Sequence, residues 1–263
     1  MEWGILDKKN MPIGFFDSGV GGLSVLKEAL KIMPTENYIY FGDSKNAPYG
    51  IKDFKEVKAL TYEAVEFLLN KGAKGLVIAC NTATSAAVAA LRVTYPEIPI
   101  VGIEPAVKPA VKLKRPGKII IMATPVTLKL EKFHRLLDLY KDEAEIIPMP
   151  CAGLMEFVEA GNINGLETIE YLKEKFAQYN SKDIASVVLG CTHYPFIKHT
   201  LSKIIGEDIP IIDGGMGTCK EIKRRLKVAG LLTDSKEKGT VKIYNSLNNE
   251  KIMEISNRLL LSK

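Results

Sequence analysis

Two stretches of this chain repeat one another at a fixed distance. Val77-Ile78-Ala79-Cys80-Asn81-Thr82 is matched by Val188-Leu189-Gly190-Cys191-Thr192-His193, and Glu97-Ile98-Pro99-Ile100-Val101 by Asp208-Ile209-Pro210-Ile211-Ile212, both 111 residues downstream. In the first pair an apolar run ends in a small residue, a cysteine and hydrogen-bonding side chains. Two earlier apolar runs, beginning near Pro12 and Asn37, recur in the same order near Lys118 and Glu145. One match between short apolar runs arises readily by chance; a shared offset with order preserved points to an internal duplication. Such a chain folds as two copies of one plan, and at 263 residues it has the length for two small domains.

The plan itself is α/β. Strands are predicted at Pro12–Phe16, Asn37–Phe41, Gly75–Ala79, Ile98–Ile103, Lys118–Met122, Glu145–Met149, Ser186–Gly190 and Ile209–Ile212. They are rich in Ile and Val, apolar on consecutive positions and bounded by Gly, Pro or Asp, which suits a parallel sheet buried on both faces. Helical patterns lie between them. In Phe54–Asn70, Val57, Leu60, Thr61, Ala64, Phe67 and Leu68 form one stripe, and Lys71-Gly72 supplies a stop. Alternation of this kind implies right-handed βαβ crossovers.

In open parallel sheets, ligands bind beyond the carboxyl ends of the strands. Cys80 and Cys191 both occupy that position, one per half. Either one alone reads equally as a buried small residue. Together, in two halves facing each other, they would set two thiols on opposite sides of a cleft, as required to remove a proton from a stereocentre and return one to its other face. Each precedes polar residues able to start a helix, whose N-terminus favours thiolate.

Two further segments follow predicted strands. Phe16-Asp17-Ser18-Gly19-Val20-Gly21-Gly22 is a glycine-rich turn whose backbone N–H groups suit an anion. It is not a dinucleotide fingerprint, because Ser24 stands where the third glycine belongs, and no phosphate-binding G-x-x-x-x-G-K-[ST] occurs. Asp17 would repel a phosphate but would suit the ammonium of an amino acid; Asp17 or Ser18 as a plain helix cap is the alternative. In Phe41-Gly42-Asp43-Ser44-Lys45-Asn46-Ala47-Pro48-Tyr49-Gly50, a loop by composition, Tyr49 reads as a pocket wall or a packing residue.

Other classes find little support. No apolar run reaches the length of a membrane span, and Met1 to Met11 has no signal-peptide character, so a cytoplasmic protein without a membrane role is expected. The net charge is only +5, and the basic cluster Lys220, Lys223, Arg224, Arg225 and Lys227 reads as a solvated helix face without interleaved aromatics, so no nucleic-acid partner is expected. Cys80, Cys151, Cys191 and Cys219 form no C-x-x-C pair; free thiols and no metal site are expected. His134 and His199 read as helix-surface residues.

Taken together, D-S-G-V-G-G-L (Asp17–Leu23), P-Y-G (Pro48–Gly50), A-C-N-T-A (Ala79–Ala83), Glu104-Pro105-Ala106 and G-C-T-H-Y-P (Gly190–Pro195) resemble the glutamate racemase family, over nearly the whole chain. The resemblance implies two pseudo-symmetric, doubly wound parallel-sheet α/β domains with the active site between them, the second inserted in the first: residues 1–102 plus 215–263, and 103–214. It implies cofactor-independent interconversion of L- and D-glutamate, without pyridoxal phosphate, flavin or metal, supplying D-glutamate for peptidoglycan, and a homodimer is compatible with it. Cys80 then acts on the D-enantiomer with Asp17 and Asp43, and Cys191 on the L-enantiomer with Glu159 and His193; Glu156 is the alternative to Glu159. Ser18, Tyr49, Gly50, Asn81, Thr82 and Thr192, with Asp17 and His193, would contact substrate. An aspartate racemase of the same superfamily is the nearest rival. A two-lobed binding protein and a nucleotide-dependent oxidoreductase are the rivals from other classes.

Overall fold

The computed structural model describes residues 5–129 and 131–262. The chain divides into two compact units, Met1–Ile103 with Gly215–Lys263, and Glu104–Gly214.

The first unit carries β1 (Ile13–Asp17), β2 (Tyr38–Gly42), β3 (Gly75–Ile78) and β4 (Ile100–Gly102). The second carries β5 (Lys118–Ala123), β6 (Ile146–Pro150), β7 (Ile184–Leu189) and β8 (Ile211–Asp213). A further strand, β9 (Val241–Asn245), belongs to the first unit. All pairings are parallel, and the strand orders are β4-β3-β1-β2-β9 and β6-β5-β7-β8. If β1 to β4 are matched in turn to β5 to β8, both sheets have one order, so the repeat seen along the chain is also a repeat of topology. β9 breaks the parallel. It was not foreseen, because its lysine and half-exposed positions, on the outer side of β2, lack the consecutive apolar residues of an interior strand.

Every residue of β1, β3 and β7 is buried. In the first unit, helices Phe54–Asn70 and Asn81–Thr94 cover one face, closing over Phe16, Leu76, Ile78 and Ile100. Helices Leu23–Ile32, Gly215–Val228 and Glu250–Leu261 supply the other layer, with Leu23, Leu26, Ile222, Leu226, Ile255 and Leu259 buried. Phe54–Asn70 forms as its stripe predicts. Asp53 caps it by accepting the Glu56 N–H at 2.8 Å, an interaction of about 1 kcal/mol, and Gly72 takes the left-handed conformation just past its end. In the second unit, Val107, Val111, Ile119, Ile121, Phe133 and Val188 form a core on one face of the sheet.

The foot of the first sheet is held by an ion pair buried on both sides. Lys74, just before β3, meets Glu36, just before β2, at 2.5 Å. Glu36 also accepts the Thr233 N–H at 2.8 Å, anchoring the segment that leads into β9. No helix among the described residues is long and apolar enough to cross a membrane.

Candidate active site

In both units the polar residues of interest gather at the carboxyl ends of the strands. In the first, the parallel register sets Asp17 beside Gly42 and Phe16 beside Ile78, so Asp17, Asp43 and Cys80 leave the sheet side by side. Backbone bonds lock the arrangement: the Asp43 N–H donates to the Asp17 carbonyl at 3.0 Å, and that of Ala79 to Phe16 at 2.7 Å. The glycine turn lies close over these ends. A Cβ on Gly22 would stand 2.6 Å from the Asp17 Cβ and 3.0 Å from that of Ala79, and one on Gly42 would run into the Gly19 carbonyl. Only glycine allows that approach. Neither Asp17 nor Ser18 caps the helix that follows. Gly22 stands at that position without a side-chain bond.

Asp17 is fully buried and accepts the Gly19 N–H at 2.9 Å. The Ser18 hydroxyl lies 3.5 Å from the Cys80 sulfur. Asp43 is buried and its carboxylate receives three bonds: Asn46 Nδ2 at 3.1 and 3.0 Å and the Tyr49 hydroxyl at 2.7 Å. Tyr49 is therefore both a packed residue and a donor. Burial first, then its bond to Asp43 and the charges on Asp43, Cys80 and Asp17, push its hydroxyl far above the ordinary tyrosine range. Cys80 is the N-cap of helix Asn81–Thr94, in extended backbone, with the Thr84 N–H on its carbonyl at 2.9 Å. Asn81 is buried, and its side-chain oxygen has no hydrogen-bond partner among the described residues. Thr82 and Gly50 are half-buried beside these groups in the chain.

In the second unit Cys191 follows β7 as Cys80 follows β3. The Gly190 N–H donates to Met122 at 2.7 Å as that of Ala79 does to Phe16, and the Cys151 N–H donates to Ala123 at 2.9 Å as that of Asp43 does to Asp17. Cys151 thus occupies the place of Asp43. Burial pushes its thiol up to about 12. The expected helix start directly after Cys191 is not formed. Thr192 and His193 make a turn, Tyr194–Ile197 is a single 3-10 segment containing Pro195, and the α-helix begins at Lys198. Proline disfavours helical backbone in the residue before it, which delays the helix.

A relay of side chains stands there instead. His193 Nδ1 lies 3.6 Å from the Cys191 sulfur, and Nε2 lies 2.6 Å from Glu159 Oε1, at the end of helix Leu154–Glu159. Burial alone pulls the imidazole's pKa down. The hydrogen bonds to Cys191 and Glu159, and their negative charge, outweigh it and hold His193 well above the ordinary histidine value. An imidazolium at this place would aim one N–H at the sulfur and the other at the carboxylate. Glu156 is exposed and Thr192 buried. The Tyr194 hydroxyl donates to the Cys151 carbonyl at 3.0 Å. Thr124, directly after β5, takes the place of Ser18 and shares a hydroxyl bond with Thr127 at 2.9 Å. The sequence reading passed over it, because 106 residues separate Ser18 from Thr124, against 111 between the cysteines. Loop lengths differ between the copies, and only the sheet register reveals the match.

All four cysteines are buried thiols outside any disulfide. Among the described residues no group of three or more His, Cys, Asp or Glu could hold a metal ion. His134 and His199 are exposed on helices. In the basic cluster, Glu221 bonds both Arg224 and Arg225, and these two bonds draw its carboxyl down to about 2.

Comparison with known proteins agrees with this geometry. The family model described as Asp/Glu/Hydantoin racemase matches residues 20–222. A glutamate racemase of Clostridium botulinum is 60% identical over 257 residues, 98% of this chain and all of that protein. The crystal structure of the glutamate racemase isoform RacE1 of Bacillus anthracis superposes with a TM-score of 0.85 at 32% identity, covering 97% of this chain and 96% of that one. The glutamate racemase of Francisella tularensis in complex with D-glutamate does so at 0.81 and 28% identity, covering 97% and 95%. The chain belongs to the Asp/Glu/hydantoin racemase family and, within it, to the glutamate racemases.

Proposed function

We propose that this protein interconverts L- and D-glutamate by a two-base reaction in which Cys80 and Cys191 serve opposite faces of Cα. The observation that carries the reading is the equivalence of the two thiols: each stands two residues beyond the carboxyl end of the strand at the same place in its sheet, next to groups suited to moving a proton. One cysteine acts as thiolate and removes the Cα proton while the other acts as thiol and delivers its own; for the opposite enantiomer the roles exchange. Asp17 and Asp43 assist Cys80, and Glu159 through His193 assists Cys191. The unpartnered oxygen of Asn81 suits a donor brought by the substrate, such as its ammonium group. Ser18, Tyr49, Gly50, Thr82 and Thr192 complete the polar surroundings, and Thr124 joins them as the counterpart of Ser18.

The family assignment supports glutamate over aspartate as substrate. The reading extends to a cytoplasmic enzyme that supplies D-glutamate for peptidoglycan, with which a homodimer is compatible. The test is to incubate purified, cofactor-free protein with L-glutamate and, in parallel, L-aspartate, following the optical signal to zero. Faster loss with aspartate replaces the substrate; no loss with either overturns the reading.

A further inference from the structure

The first sheet has a strand without a counterpart among the described residues of the second. β9 lies outside β2, whereas β6, which matches β2, ends its own sheet. β2 leads into the loop that carries Asp43, Asn46 and Tyr49. We propose that Asn245 and Ser246, at the carboxyl end of β9, are positioning residues for the proton transfer at Cys80: they hold that loop so that the Asp43 carboxylate keeps its setting. This rests on the role given above to Asp43 and adds to it the residues that act through it.

The parallel register sets Asn245 beside Gly42, one residue before Asp43. Ser246 carries the contact one step further, its N–H donating to the Gly42 carbonyl at 2.9 Å. Two side-chain bonds then reach into the loop itself. Asn245 Nδ2 donates to the Ser44 hydroxyl at 2.8 Å, and the Lys45 N–H donates to the Ser246 hydroxyl at 2.9 Å. Asn245 is buried, and its Oδ1 accepts the Leu247 N–H at 3.0 Å, so its amide is engaged at both ends. The end of β9 is itself fixed. One position earlier Tyr244 is in register with Phe41, and the Phe67 ring packs on both, with centroids 5.4 and 4.7 Å away. Just beyond, Asn249 caps helix Glu250–Leu261 by accepting the Ile252 N–H at 2.9 Å.

What the loop does with this support follows from its own bonds. The Asp43 carboxylate takes Asn46 Nδ2 on both oxygens and the Tyr49 hydroxyl on one of them. Ser44 and Lys45 are the two residues between Asp43 and Asn46. Holding them from β9 fixes where Asn46 stands, and with it the plane of the carboxylate. Inside the loop this stretch has only a long bond to support it, from the Asn46 N–H to the Asp43 carbonyl at 3.2 Å. The second unit shows the converse. Cys151 stands in the place of Asp43, and no strand lies beyond β6 among the described residues. The added strand therefore accompanies the carboxylate, the group whose orientation matters for guiding a proton.

The experiment compares Asn245→Ala, Ser246→Ala and Ser246→Thr with the wild type by two independent readouts. The first is hydrogen–deuterium exchange followed by mass spectrometry. In Asn245→Ala, exchange in peptides spanning residues 43–51 is expected to quicken by about tenfold, with β1 and β3 unchanged. Unchanged loop exchange overturns the proposal, as does exchange that quickens equally throughout the first unit. The second readout is turnover and its Cα-deuterium isotope effect. Turnover in Asn245→Ala is expected to fall by about 10–10²-fold. The isotope effect should grow more with D-glutamate than with L-glutamate, because Cys80 serves the D-enantiomer. Full turnover in a variant whose loop exchanges faster, or equal growth with both enantiomers, overturns the proposal. Ser246→Ala should show the same pattern more weakly, since its bond is exposed to water, and Ser246→Thr should restore it. This pair decides the matter should Asn245→Ala not fold. An inactive wild type removes the functional reading; the exchange result then decides by itself whether β9 holds the loop.

Discussion

The carboxyl ends of the two sheets were laid out on one plan and furnished differently. Cys80 and Cys191 superpose in topology, yet the residues in register around them do not correspond in kind. Asp17 and Ser18 are answered by Ala123 and Thr124, and Asp43 by Cys151. The second unit has thus replaced the buried carboxylates of the first with a neutral residue and a thiol. Titratable side chains reach its thiol from outside the sheet instead, His193 on the following turn and Glu159 on a helix. The helix field that Cys80 enjoys is also displaced at Cys191, where the α-helix begins at Lys198. Duplication conserved the placement of the thiols, which the register enforces. The means of managing their protons lies in loops and helix ends, where change leaves the sheet intact.

Breaking either thiol tests the comparison most severely. Cys80→Ser and Cys191→Ser should each abolish racemisation in both directions, beyond the roughly 10⁴-fold upper range of a positioned acid–base group, because each direction uses both sulfurs and a serine hydroxyl does not hold a useful anion at neutral pH. Polarimetry on both enantiomers checks this, and substantial residual turnover in either variant contradicts the two-base scheme. Next come the unlike helpers. Asp17→Asn and His193→Asn should each lower turnover by about 10²–10⁴-fold with circular dichroism unchanged. They should differ in which enantiomer, deuterated at Cα, shows the larger isotope effect: D-glutamate for the first and L-glutamate for the second. Identical isotope patterns would mean that the two sites are not divided by face.

A pH profile sharpens the contrast further. Glu159→Gln removes one of the bonds that hold His193 above the ordinary histidine value. The imidazolium, present at low pH, is lost as pH rises through the folded pKa, so lowering that pKa should bring the alkaline limb of kcat/KM to lower pH. A limb that stays in place, or moves up, would exclude the relay. The smallest effect is expected at Cys151→Ala. Cys151 occupies the place of Asp43 but remains a neutral thiol, so turnover should stay near wild type and alkylation of Cys151 should not account for inactivation. A large loss would show that the second unit uses this position chemically after all.

Much of this was legible before any coordinates. Phe54–Asn70 could be placed from one apolar stripe and a glycine stop, because helical period and capping are local properties. Eight strands could be placed because interior parallel strands are apolar on both faces. β9 escaped for the converse reason: with a lysine and half-exposed side chains, it becomes a strand only through its pairing with β2, reached after the chain returns from the second unit. Thr124 escaped because unequal loops removed its fixed offset. The helix start foreseen at Thr192 was an overextension of the repeat. The copies agree up to the cysteine, and Pro195 makes them diverge beyond it.

By itself, then, the sequence determined the class of fold, the doubling and the position of both cysteines past the ends of strands, since hydrophobic period and repeat spacing are written along one dimension. Only the tertiary structure decided which carboxylate meets which partner. Asp43 meets Asn46 and Tyr49 through the folding of one loop, whereas Glu159 reaches His193 across 34 residues, and Glu156, three positions earlier on the same short helix, is left exposed. A helix advances about 100° per residue, so which of its glutamates faces the imidazole depends on how that helix is rotated against the sheet. That rotation is set by packing around buried Leu154 and Val158, and no spacing in the chain states it.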